Sequence, residues 1–199
     1  EWVQSREKID PDAYERKYFK RFDPDLYDPQ AWASAASGAG MKYFVITTKH
    51  HEGFCLWDSK FTDYKATNTA AGRDLLRPMV DAFREQNMKV GFYYSLLDWH
   101  HPEFTIDQNH PLRDAPNIAK INKKRDMRKY AQFMYDQTDE LLSEFGRVDV
   151  LWYDFSYPNP WKNRPDWNPQ WQPKGREAWQ SERLLELIRS KQPHIILDD

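Results

Sequence analysis

The chain has 199 residues with 29 Lys and Arg against 31 Asp and Glu, a net charge of −2. That balance excludes the basic stripe a nucleic-acid backbone needs and suits one globular unit large enough to bury a core. No stretch approaches the roughly 18 to 20 apolar residues of a membrane-spanning helix, and the first residues lack the charged-then-apolar pattern of a signal peptide.

Asp28 followed by Pro29 predicts a helix start, with Gly38 or Gly40 as its stop. The β-branched and aromatic run at 42–48 reads as a buried strand. A helix is predicted over 74–87, where Pro78 lies early enough to be tolerated. The pattern then repeats: a strand at 89–95, a long helix at 120–145, a strand at 148–154, a helix at 176–191 and a strand at 194–199. In the long helix Met127, Tyr130, Met134, Leu141, Leu142 and Phe145 trace one apolar face, and Leu184, Leu185 and Ile188 are expected to turn inward from the last. No repeat, low-complexity tract or linker interrupts this order.

Alternating strands and helices imply a parallel α/β architecture, a doubly wound sheet or a (β/α)8 barrel. The connections leaving the strands, at 49–73, 96–119 and 155–175, each exceed twenty residues, while those entering them are short. Function is therefore expected at the strand C-terminal ends, as both architectures allow. The Gly-rich phosphate turn of a dinucleotide fold is absent after every strand, which favours the TIM-like (β/α)8 barrel. Four βα units supply about half of one, so residues 1–199 read as part of a single catalytic domain incomplete at both ends. An open half-barrel exposes strand edges and is expected to be aggregation-prone alone.

The most informative stretch is "TTKHHEGFCLWDSK" at 47–60, where a strand ends on His50, His51 and Glu52. A zinc site using these residues and Cys55 is one reading, but the H-E-x-x-H signature needs its histidines one helical turn apart. Two further readings are buried structural histidines and histidines that hydrogen-bond substrate hydroxyls, a task suited to a ring that both donates and accepts. Asp154 closes the strand "VDVLWYD", where a carboxylate can be held rigidly at a cleft; Trp152 shares its side-chain parity and forms a wall beside it. Capping the following turn is the structural alternative for Asp154, and Asp149, at the strand's other end, reads as structural. Tyr93 and Ser95 share one parity and Tyr94 the other, so one tyrosine of the pair faces the barrel axis.

"AGMKYFVITTKHHEGFCLWDSKFTDY" resembles a signature of glycoside hydrolase family 29, the α-L-fucosidases, of bacterial type. "EW" at Glu1 and Trp2, "GFYYSLLDWHHPE" at 91–103 and "QTDELLSEFGRVDVLWYDF" at 137–155 agree with the family in the same order. The resemblance implies a retaining exo-glycosidase that removes terminal α-linked L-fucose from oligosaccharides or glycoconjugates by double displacement. It needs no metal or organic cofactor and no nucleic-acid or membrane partner, and the family points to a periplasmic or extracellular location. The family's nucleophile falls on Asp154, and its sugar-binding residues fall on His50, His51, Tyr93, Trp152, Glu1 and Trp2. Its acid/base falls beyond Asp199, with Glu52 and Asp98 as the nearest substitutes in this chain. Phe155 stands where the family often has glycine, and "IILDD" departs from the family's usual ending of that strand. A non-catalytic carbohydrate-binding protein on the same scaffold is the alternative, and a zinc-dependent hydrolase the third.

Overall fold

The computed structural model describes residues 2–156, 163 and 165–198. Four parallel strands form one sheet: β1 (Tyr43–Lys49), β2 (Lys89–Ser95), β3 (Val150–Asp154) and β4 (Ile196–Asp198), in the spatial order β1-β2-β3-β4. Consecutive order without reversal is how a barrel is wound; a doubly wound sheet turns back at a switch point. Before the sheet come α1 (Trp2–Arg6), α2 (Pro11–Tyr18) and α3 (Pro29–Gly38). Between the strands lie α4 (Leu76–Glu85), α5 (Ile118–Asn122), α6 (Met127–Glu144), α7 (Arg176–Trp179) and α8 (Ser181–Lys191).

The caps explain most boundaries. Asp28 accepts the Ala31 N–H at 3.0 Å ahead of Pro29, and Asp74 accepts the N–H groups of Leu76 and Arg77 at 2.7 and 2.8 Å, which starts α4 two residues after the expected point. Asp10 caps α2 the same way, with Pro11 at the first position. The sequence reading missed that helix although the Asp-Pro signal was present. The helix expected at 120–145 is two: Asp126 leaves helical geometry, caps Arg128 N–H at 3.0 Å and gives its own N–H to Glu103. The helix expected at 176–191 is likewise divided by Gln180, which is left-handed at φ 52°.

Strand parity sorts the side chains into two layers. Phe92, Tyr94, Leu151 and Tyr153 face the helices and are buried with Val80 of α4, Tyr130, Met134 and Leu141 of α6, and Leu184 and Ile188 of α8. Each such side chain contributes about 1.5–3 kcal/mol of burial. Leu185 is the exception to the predicted apolar face. It is 44% exposed, because the buried stripe runs through Leu184, Leu187 and Ile188 and residue 185 lies about 100° round the helix from 184. On the other face Val45, Gly91 and Val150 share one level, and a Cβ at Gly91 would lie 2.8 Å from Val45 and 2.9 Å from Val150, so only glycine lets these strands carry both valines there. Tyr93, Trp152, Ser95 and Asp154 continue that face to the C-terminal end of the sheet.

Candidate active site

A β-bulge decides what β1 delivers. Thr47 pairs with Tyr93, but Lys49 pairs with Tyr94, so Thr48 is an extra residue whose Oγ1 donates to Tyr93 O at 2.8 Å. Simple alternation from Thr47 would aim Lys49 at the inner face and His50 at the helices. The bulge inverts this. Lys49 turns outward and is fully buried, pairing with Asp98 at 3.0 Å, contacting Tyr130 Oη at 3.3 Å and lying 4.4 Å from the Tyr94 ring centre. His50 turns inward onto Tyr93, ring against ring at 5.2 Å and 12°.

There His50, Tyr93, Trp152 and Asp154 converge. Tyr93 Oη donates to Asp154 Oδ2 at 2.8 Å and stands 3.3 Å from His50 Nε2. The Trp152 ring meets Tyr93 edge-on at 5.0 Å and is 41% exposed, a flat apolar wall beside the carboxylate. Tyr94, of opposite parity, instead donates to Gln137 Oε1 behind the sheet at 2.7 Å. In β4, Asp198 is in register with Trp152 and so lies on the face that carries Asp154.

His51 lies one layer deeper. Its Nδ1 is 2.6 Å from Ser95 Oγ, and its ring is enclosed by Trp2 at 5.1 Å, Trp99 at 5.3 Å and Phe155 at 4.4 Å. Desolvation, then the neighbouring His50, lowers its pKa to about 2, so the ring is neutral. Trp2 thus joins the site through His51, while Glu1 lies outside the described residues. Phe155 is left-handed at φ 73°, an uncommon conformation for a bulky residue, directly after Asp154.

The proposed substitutes for the acid/base do not reach Asp154. Asp98 is fully buried: Oδ2 holds Lys49 and Oδ1 accepts the N–H groups of His100 and His101 at 3.1 and 2.8 Å. Desolvation raises its pKa, but the Lys49 charge, the neighbouring His101 and His100 and the Lys49 hydrogen bond together outweigh that, and the net shift is downward, which favours the anion. Glu52 lines a different cavity of about 250 Å³, with Tyr14, Phe22, Phe54 and Tyr64. The zinc set does not assemble either. Cys55 is fully buried, bonded to Gly53 O and to Gln137, with its thiol pushed up to about 12 by burial, and among the described residues no three His, Cys, Asp or Glu converge on one point. Asp149 is structural as expected, accepting Val90 N–H at 3.1 Å and Arg147 at 2.8 Å. The sequence reading gave no role to Ser95 or Lys49; the parity shared by Ser95 and Tyr93 was the available signal for the first, and none existed for the second.

A model of the family described as alpha-L-fucosidase matches residues 5–199. The chain belongs to that family. It is 35% identical over 156 residues to the tissue alpha-L-fucosidase of Bos taurus and 34% over 141 residues to that of Homo sapiens, matches that cover 78% and 70% of this chain but 31% and 28% of those proteins. Among solved structures, alpha-L-fucosidase isoenzyme 1 from Paenibacillus thiaminolyticus aligns with TM-score 0.85 and 48% identity over 99% of this chain and 43% of that one. A fucosidase from Bacteroides thetaiotaomicron, trapped as a covalent intermediate with 2-fluoro-fucosyl fluoride, aligns with TM-score 0.73 and 30% identity over 98% of this chain and 39% of that one. The chain thus spans less than half the length of these relatives. The fucosidase catalytic domain is a (β/α)8 barrel, and the four consecutive parallel strands correspond to part of it.

Proposed function

We propose that this chain carries the nucleophile half of a retaining α-L-fucosidase site, acting on terminal α-L-fucosides of oligosaccharides or glycoconjugates. Asp154 is the nucleophile. It attacks the anomeric carbon, the glycosidic oxygen leaves with a proton from a second carboxyl group, and water then releases fucose from the glycosyl-enzyme; in retaining enzymes the two carboxyl groups stand about 5 to 5.5 Å apart. The observation that carries this reading is the 2.8 Å hydrogen bond by which Tyr93 holds Asp154 Oδ2 at the C-terminal end of β3. That bond fixes one carboxylate oxygen and aims the other, which lowers the entropic cost of attack. Trp152 beside it suits the methyl-bearing face of fucose, and His50 suits a sugar hydroxyl. The covalent intermediate trapped on the Bacteroides relative supports a double displacement.

The test is Asp154→Gly in the full-length protein. Turnover of an aryl α-L-fucoside is expected to fall about a thousandfold or more, with thermal midpoint and circular dichroism preserved. Turnover within tenfold of wild type removes Asp154 from the role.

A further inference from the structure

The hydrogen bonds around the two adjacent histidines favour opposite tautomers, and one buried hydroxyl sets the difference. Ser95 Oγ donates to Leu97 O at 2.9 Å and accepts the Leu97 N–H at 3.0 Å. A serine hydroxyl has one proton to give, and here it is given, so at 2.6 Å from His51 Nδ1 it can only accept. His51 therefore carries its proton on Nδ1 and a bare lone pair on Nε2. Burial keeps the ring neutral, so the lone pair persists across the ordinary pH range. His50 is the reverse. Its Nδ1 accepts the His51 backbone N–H at 2.8 Å, which in the neutral ring puts the proton on Nε2, toward Tyr93 Oη and through it Asp154. One ring of the pair thus presents a donor and the other an acceptor.

His51 Nε2 has no hydrogen-bond partner among the described residues, although it is buried. Leaving such an acceptor unmatched is unfavourable, and that penalty lies against the strained Phe155, whose ring stands edge-on to His51. Two local penalties beside Asp154 indicate a group held ready for a ligand. A monosaccharide supplies what an acceptor needs, a hydroxyl proton, and the Trp2 and Phe155 rings that enclose His51 would have to give way to admit it.

We infer that Ser95 is a positioning residue of the fucoside site: its Oγ locks His51 in the Nδ1–H form and so makes Nε2 a standing acceptor for one hydroxyl of the bound sugar. This rests on the fucosidase reading for the identity of the ligand, not for the tautomer. A histidine held the other way would offer a donor to a hydroxyl already able to donate, and the sugar would lose one point of orientation.

The full-length protein labelled with 15N-histidine tests the wiring directly. Long-range ring correlations are expected to show His51 protonated on Nδ1 and His50 on Nε2; a His51 protonated on Nε2 overturns the proposal before any variant is made. Ser95→Ala is expected to move His51 toward the Nε2–H form and to lower kcat/KM for an aryl α-L-fucoside about tenfold, mainly through KM; Ser95→Thr keeps the oxygen and restores both. On the deoxyfucosides, one is expected to be a poor wild-type substrate yet to suffer little further loss from Ser95→Ala, because the hydroxyl that His51 would read is already missing. Equal Ser95→Ala losses on every deoxyfucoside assign Ser95 a purely structural role and overturn the proposal. A wild-type protein with no fucoside turnover sinks the fucosidase reading and the sugar-accepting role with it, while the spectrum still decides the tautomer.

Discussion

The buried Lys49–Asp98 pair gives the sharpest test of how the site is held. Asp98 does two separable things: Oδ2 neutralises Lys49, and Oδ1 takes the amides of His100 and His101. Asp98→Asn keeps an oxygen for the amides and turns an NH2 toward the ammonium, so it removes the charge alone. Both side chains are almost inaccessible, 0% and 3% exposed, and breaking such a pair from one side costs about 3–5 kcal/mol because the other charge stays buried. Lys49→Met is expected to cost a similar amount, leaving Asp98 charged among apolar rings. The double variant leaves no buried charge and is expected to cost less than the two singles together by about 3 kcal/mol. Urea denaturation of the full-length protein, fitted for midpoint and slope, measures all three. Since Asp98 titrates below its usual range, its contribution is full above the ordinary carboxylate pKa and is lost only as pH falls through the lower folded value, so measurements at pH 7 read the whole effect. Single variants costing less than about 1 kcal/mol, or a double variant equal to the sum of the singles, would refute the account of the pair as a mutually compensating lock on the His50–His51 loop.

The same loop is sensitive at Gly53, whose φ is 85° and whose added Cβ would fall 2.4 Å from Asp98 Oδ1; Gly53→Ala is expected to destabilise by about 2 kcal/mol or more, read as a clear drop in thermal midpoint. Phe155 bears left-handed strain, so Phe155→Val, β-branched and shorter, is expected to melt below both wild type and Phe155→Gly, the latter being free of the strain; a valine variant as stable as wild type contradicts the assigned backbone geometry. Desolvation lowers the pKa of both His51 and His110, the latter pushed further by Arg125 and Lys174. The unfolded chain therefore binds protons below about pH 6.5 that the folded chain refuses, and stability is expected to drop by roughly 1 kcal/mol per histidine between pH 6 and 5. Denaturation midpoints that are flat between pH 7 and 5 exclude two buried neutral histidines.

Much of this molecule is written locally. Period-two alternation alone grouped Tyr93 with Ser95, set Tyr94 apart from them, and grouped Trp152 with Asp154, because pleating needs no tertiary information; the β2–β3 register then put the two groups on one face. The Asp28-Pro29 start, the long loops after strand ends and the apolar stripe of α6 were equally legible, each being a short-range effect of capping, sterics or helical pitch. The divided helices were less so, since Asp126 and Gln180 break the pattern through their own backbone conformation within otherwise helical composition.

The histidine pair was decided elsewhere. Nothing in "VITTKHH" announces the bulge at Thr48, and without it parity would send Lys49 into the site and His50 behind it. The bulge is selected by what waits on the far side of the sheet: Asp98, Tyr130 and the Tyr94 ring form a pocket that an ammonium can enter only if the strand gains one residue. A buried charge must find its counter-charge, and that demand, made by residues about 50 and 80 positions away in the sequence, outweighs local alternation. The sequence by itself pointed to the strand C-terminal ends as the place of the candidate site; the tertiary partner of one lysine decided which histidine stacks on Tyr93, the tyrosine that holds Asp154, and which lies behind it against Ser95.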